Sequence, residues 1–406
     1  MLTQRGTPRS DPEGEAPARP SPLRTATLID GIPQAVSIQF NNLVYEMRAT
    51  GRDVITLSLG EAFFDLPPFG LAQLSTPTGI HHYSHSRGLP ALRQRLARYY
   101  REDFGVPVDP ATEILFTAGS KAAIYMVLLS VVEPGDEVLV LEPFWLSYPE
   151  QVRMCRGRPV AVPHDVSILE LGDWVSPRTR AIIINNPNNP TGRVYTESEL
   201  LAVHDLAERH GLLIIADEAY NEFVAADSRC RSCAADDPDK RHTVVINSMS
   251  KNFGLSGWRV GYVIAHRRII DQVLKVNQHV ITCAPTILSC YLAERFDELL
   301  AVTRPQIRRV VAVRNQVSGW MTDAGIATSP GSASFYLFAS LRDSQLSSTA
   351  FASRLLEERS VSVVPGIAYG ASCDRYIRVS VGTEPVDRIQ QGIAAIAHLL
   401  AETRAE

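Results

Sequence analysis

Between Pro33 and Thr50 the apolar residues Val36, Phe40, Leu43, Val44 and Met47 recur at the spacing of one helix face, and Gly51 stands where such a helix stops. Beyond it the pattern changes to short apolar runs separated by longer segments of helical period. The runs are EVLVLEP (137–143), AIIINNP (181–187), LLIIADEAY (212–220), TVVINSMSK (243–251) and RVGYVIA (259–265). Strands apolar on both faces belong inside a sheet covered by helices. Between two of them, Thr196 to His210 carries a capping box in Thr196 and Glu199 and an apolar stripe at Leu200, Val203, Leu206 and Ala207. This alternation predicts an α/β fold with a mainly parallel central sheet and no internal repeat.

Length and composition sharpen that picture. At 406 residues the chain exceeds the usual span of one domain, so two domains are expected. With 45% hydrophobic and 21% charged residues and a formal net charge of -4, it lacks the basic field that nucleic acid requires, and a small-molecule partner is expected instead. Six scattered cysteines form no disulfide framework and fit a reducing compartment. Cys230 and Cys233 form a CxxC with no second metal-ligand pair, which reads as chance rather than as a zinc or redox motif, so no metal is expected. Residues 1–28 are rich in Pro, Gly, Ser and both signs of charge and are expected to be a disordered tail, without the apolar stretch of a signal peptide. No apolar run reaches the roughly 18 residues of a membrane span, so a cytoplasmic protein is expected.

In a parallel sheet the ligand site lies at the carboxyl ends of the strands. Residues at or just past those ends are Trp145, Asn189, Asp217, Tyr220, Ser248 and Lys251. Lys251 is one of four lysines beside thirty-six arginines. An amine can lose its proton and form an imine, which a guanidinium cannot do. Asp217 closes the apolar run LLIIAD, where a buried carboxylate needs a cationic partner; an ordinary helix cap or salt bridge would serve equally for this residue alone. Gly119, Ser120 and Lys121 open a predicted helix whose free amides suit an anion, and Trp145 offers a flat apolar face, although either feature alone also fits a structural role.

Taken together, SMSKNFGLSGWRVGY (248–262), NNPTG (188–192) and DEAY (217–220) resemble the class I/II aminotransferase family of fold type I pyridoxal-phosphate-dependent enzymes, in order and approximate spacing, over roughly Ile38 to Leu400. The resemblance implies that Lys251 forms the Schiff base with pyridoxal 5'-phosphate and that Asp217 pairs with the ring nitrogen. It further implies that Asn189 and Tyr220 hydrogen-bond the ring oxygen, that Trp145 stacks on the ring, and that Ser248, Arg259 and the amides of Gly119 to Lys121 hold the phosphate. Tyr83, in HHYSHSRGLPALR, matches a tyrosine that reaches the neighbouring subunit's phosphate, which implies a homodimer with active sites at the subunit interface. Arg378, in DRYIRVSVG, matches the arginine that grips the substrate carboxylate, and Gly60 matches a backbone position beside that carboxylate. The expected architecture is a large cofactor domain over 66–295 and a small domain built from 29–65 and 296–406.

Three segments depart from the family pattern: GEAFF brings Phe63 and Phe64 toward the expected substrate entrance, PGSASFY replaces a glycine-richer run, and His81, His82 and His85 surround Tyr83. No second arginine motif for a dicarboxylate side chain is visible, so aspartate is not the expected substrate. The expected reaction is transfer of an amino group between an L-amino acid and a 2-oxo acid. The alternative on the same fold is β- or γ-elimination, replacement or ring closure, as in the aminocyclopropane carboxylate synthases. A non-enzymatic DNA-binding sensor is disfavoured, because fewer than about 30 residues precede the first predicted helix, too few for a helix-turn-helix domain.

Overall fold

A computed structural model describes residues 25–68, 74, 79–226, 228–341 and 344–404. Most of the expected tail, residues 1–24, lies outside them. Contacts divide the chain into a unit ending at Pro33, whose described part carries one helical turn at Thr27–Asp30, and a second unit, Gln34–Glu406.

The second unit opens with the helix Val36–Ala49, which buries Phe40 and Val44 and half-buries Val36 and Met47 of the predicted apolar face, whereas Leu43 of that face is exposed. Its strands are β1 (Ile55–Thr56), β2 (Ile114–Thr117), β3 (Glu137–Leu141), β4 (Arg158–Val162), β5 (Thr179–Asn185), β6 (Leu213–Asp217), β7 (Thr243–Ser248), β8 (Gly261–Ala265), β9 (Tyr336–Ser340), β10 (Val361–Ser362), β11 (Val364–Pro365) and β12 (Tyr376–Ser380). Among the described residues β2 to β8 form one seven-stranded sheet in the order β2-β8-β7-β6-β5-β3-β4. The pairs from β4 through β7 are parallel, whereas β8 runs antiparallel to both of its neighbours. Six strands therefore share one direction and β8 alone opposes them.

That reversal matters for the site. The carboxyl ends of β2, β3, β5, β6 and β7 lie at one edge, and the start of β8 lies there with them. The residue before β8 that faces this edge is reached from the opposite chain direction to the residues after β7. Gly261, first in β8, is forced to be small: a Cβ there would sit 2.5 Å from the Gly119 carbonyl carbon and 2.5 Å from the Ser120 amide nitrogen.

Five of the seven strands are the predicted apolar runs. The other two are short or marginal in pattern: β2 is only ILFT, and β4, RPVAV, is an edge strand in which Pro159 is tolerated because one side of its backbone is unpaired. The helix Glu197–His210 carries the expected reciprocal capping box, with the Glu199 amide donating to Thr196 Oγ1 at 3.3 Å and the Thr196 amide donating to Glu199 Oε2 at 2.8 Å. Beyond the long helix Thr286–Asp323, β9 and β11 flank β12 in an antiparallel sheet that sets Arg378 opposite Phe338 and Val364.

Substituting Gly261→Ala should destabilise the protein by about 1–3 kcal/mol, because the clash is with backbone and cannot be relieved by a rotamer change. Thr196→Ala should cost about 1 kcal/mol. Urea midpoints test both; a Gly261→Ala protein as stable as wild type would refute the close approach.

Candidate active site

Five strand ends, one glycine-capped helix and β12 converge on a cavity of about 190 Å³. Of the residues expected from the sequence, Gly60, Ser120, Lys121, Trp145, Asn189, Asp217, Tyr220, Ser248, Lys251, Arg259 and Arg378 all line it.

Lys251 follows β7 by three residues, and its Nζ donates to the Gly60 carbonyl oxygen. The side chain is half-buried and lines the cavity. Burial pushes its amine down from the ordinary 10.5 to about 8; Glu61 opposes the shift, and Arg378 and Arg259 reinforce it. Asp217, at the end of β6, is buried, and burial raises its carboxyl above the usual range. Two donors, Tyr148 Oη at 2.7 Å from Oδ2 and the Ala219 amide at 3.1 Å from Oδ1, act against that, as does the charge of Lys251. A cation beside this carboxylate would reverse the shift.

Arg378 is 3% exposed, and among the described residues no carboxylate lies within ion-pairing distance. One Nη donates to the Ser58 carbonyl at 2.7 Å and the other to Asn189 Oδ1 at 3.2 Å, while Nε has no partner. The guanidinium lies 4.4 Å from the ring centre of Tyr336 and 5.5 Å from that of Tyr369. Tyr336 in turn shares a hydrogen bond of 3.0 Å with the Tyr220 hydroxyl. A buried fork with an orphaned donor is built to receive an anion.

At the other end, Gly119 caps the helix Ser120–Val131 with φ +87°, a conformation that favours glycine, and a Cβ there would collide with the Arg259 guanidinium. Arg259 sits just before β8, with a left-handed φ of 55°, and donates to the Ser256 carbonyl at 2.6 Å. Free helix amides, Arg259 and the buried Ser248 hydroxyl together form an anion cradle. Trp145 borders the space, edge-on to Tyr148 at 5.3 Å. The cavity thus offers a cradle for one anion, a carboxylate suited to a cation between them, an amine, and a fork for a second anion.

Tyr83 stands apart. It is 83% exposed and borders a separate depression with His81 and His82. Phe63 and Phe64 belong to the segment that follows Gly60. Neither lines the cavity: Phe63 is exposed, and Phe64 turns inward, stacked on Phe223 at 6.3 Å, because an apolar ring gains more by joining that core than by facing a polar site. Sequence reading passed over Tyr148, Tyr336, Asn185, Ser58, Ser37 and Asn41. Tyr148 alone left a local signal, one helical step past Trp145 in WLSY; the others are placed by tertiary folding.

The match to the family model for aminotransferase class I and II runs over residues 52–396. The chain belongs to the class I and II aminotransferases. These are pyridoxal-phosphate-dependent transferases of fold type I, and this chain is an enzyme of that kind. It is 32% identical to aromatic-amino-acid aminotransferase 2 of Thermococcus litoralis over 354 residues, which is 83% of this chain and 91% of that one. It is 32% identical to an aspartate aminotransferase of Pyrococcus abyssi over 364 residues, 86% and 94% of the two chains. The structure of an aspartate aminotransferase from Thermus thermophilus with maleate superimposes with a TM-score of 0.85 at 28% identity, covering 93% of this aminotransferase and 100% of that chain.

The amine of Lys251 generates a pH prediction. Between its folded value of about 8 and its ordinary 10.5, the unfolded chain holds a proton that the folded chain has lost, so stability rises with pH across that window and the burial penalty is fully present below it. Cofactor-stripped wild type should therefore gain urea resistance relative to Lys251→Met as pH rises from 8 to 10.5. Parallel curves for the two proteins would contradict the depressed amine.

Proposed function

We propose that this aminotransferase transfers the amino group of an L-amino acid to a 2-oxo acid with pyridoxal phosphate held in the cavity around Lys251. The observation that carries the reading is the joint placement, in one cavity, of a half-buried amine lowered to about 8 and a buried arginine without a carboxylate partner, with Asp217 beside them.

The residues fit the cofactor on structural grounds. The left-handed φ of Gly119 brings its backbone against the Arg259 guanidinium in a cradle that suits the phosphate, with Ser248, Arg259 and the amides of Gly119 to Lys121 as donors. Asp217 would hold the protonated ring nitrogen, Asn189 and Tyr220 the ring oxygen, and Trp145 the ring face. When bound, pyridoxal phosphate supplies an electron sink for charge left at a substrate carbon. The chain's own groups do the rest. Arg378 takes the substrate carboxylate in a bidentate fork beside Gly60, orienting the Cα–H bond. Lys251, with an amine able to lose its proton near neutral pH, removes the Cα proton and returns it. The walls of Trp145, Tyr220 and Tyr336 exclude water from the proton path.

Exposed Tyr83, outside its own chain's cavity, supports a homodimer in which it completes the partner's phosphate site. The apolar cores support the division into a large domain over 66–295 and a small domain from 29–65 and 296–406: one core joins Phe40 to Ala62 with Ile307 to Leu400 and meets the large domain only at Ala219, Tyr220 and Phe223, three others draw on Leu74 to Leu300, and a small fifth one on Phe338 to Cys373. No helix among the described residues is long and apolar enough to cross a membrane, and the six cysteines are unpaired, which supports action in the cytoplasm.

Lys251→Ala should abolish the cofactor absorption that survives gel filtration and lower turnover by about 10⁴-fold or more. Incubating the loaded enzyme with single amino acids, without any oxo acid, tests the reaction type. Stoichiometric 2-oxo acid with an intact side chain is expected; release of a side-chain group would replace this reading with elimination or replacement.

A further inference from the structure

The helix Thr286–Asp323 buries Arg314, at 2% exposure, far from any role in the chemistry above. Among the described residues it has no carboxylate partner. Instead its planar fork spans two backbone carbonyls, with Nε donating to Tyr336 at 3.0 Å and one Nη to Thr191 at 3.3 Å, while the other Nη donates to Asn315 Oδ1 at 3.1 Å. A buried cation with only neutral partners is costly, and an apolar side chain would fill the same space more cheaply. The carbonyls it joins belong to segments that each present a group to the cavity. Thr191 lies two residues past Asn189, whose Oδ1 accepts from Arg378. Tyr336 stacks under Arg378 and hydrogen-bonds Tyr220. The Thr191 carbonyl is further shut in by Gly331, where a Cβ would collide with it.

We infer that Arg314 is a positioning residue for substrate binding: by tying the Thr191 and Tyr336 carbonyls into one fork, it fixes Asn189 and Tyr336 on either side of the Arg378 guanidinium. The inference rests on the carboxylate role proposed for Arg378. It predicts that loss of the fork loosens the grip on substrate and cofactor more than it slows the chemistry, since Lys251 and Asp217 are held by other strands. Lysine at this position keeps the charge but cannot bridge two carbonyls in a plane.

The test uses cofactor-loaded Arg314→Lys and Arg314→Gln, the second of which spares the fold a buried ion. Beside them run Arg378→Lys, Tyr336→Phe and the double variant Arg314→Lys/Tyr336→Phe. Each is assayed with the best donor among L-aspartate, L-glutamate, L-tyrosine and L-alanine, and its pyridoxal phosphate affinity is measured by equilibrium dialysis. Expected are a KM raised about tenfold with kcat within about threefold, weaker cofactor binding, and a double variant no worse in kcat/KM than its worse parent. Wild-type KM with only a lower melting temperature, effects that multiply in the double variant, or failure of both Arg314 variants to fold would each overturn the inference and make Arg314 a packing residue. Arg378→Lys separates the two readings. An unchanged KM there sinks the role of Arg378 itself, whereas a raised KM with unaffected Arg314 variants sinks only the role of Arg314.

Discussion

Charge held out of water without an opposite charge is the constraint around which this fold is organised. Arg378 and Arg314 are both buried, and their partners are only carbonyls, side-chain amide oxygens and, for Arg378, aromatic faces. Asp217 is buried against a phenol and a backbone amide. Each is tolerable because neutral dipoles are fixed around it, and those dipoles come from elements far apart in sequence. The sheet edge, the capped helix and the antiparallel sheet around β12 thus form a scaffold that spends stability to keep ionic groups ready for a ligand.

The same electrostatics separates roles along the cavity. At the Gly119 end, helix amides and exposed Arg259 meet solvent and can receive a strongly charged anion cheaply. At the Arg378 end, the guanidinium is already stripped of water and its aromatic walls lower the local polarity, so a carboxylate that fits the fork gains the most. Between the two, burial favours the neutral form of Lys251, with both arginines acting in the same direction and Glu61 and Asp217 against it.

How much of this could be read in the chain depends on how local each signal is. Apolar runs four or more residues past a breaker and a capping box at Thr196 are local, and they located five strands and the helix Glu197–His210. The residues after those runs, Asp217 and Lys251 among them, followed from strand direction alone. Arg259 did not. It precedes its strand, and only the reversal of β8 carries it to the same edge, so a rule about strand ends overlooks it and the family resemblance had to supply it. Tyr336 and Arg314 were illegible for a different reason, since their roles depend on which carbonyl or hydroxyl a distant segment brings near. The packing of Phe64 on Phe223 was illegible as well, because an aromatic in a loop carries no mark of whether it turns toward a site or a core.

The pairing of β7 with β8 has one more consequence. Ser248, Lys251 and Arg259 lie within a single hairpin, so their mutual spacing is set by a short stretch of chain and its own ladder. Arg378 belongs to a different sheet and meets them only across the cavity. A displacement between the two sheets would therefore change the distance from Arg378 to Lys251 while leaving the mutual spacing of Ser248, Lys251 and Arg259 unchanged. Under the roles proposed for these residues, the span that would hold a substrate can change without disturbing the Ser248 and Arg259 end of the cavity.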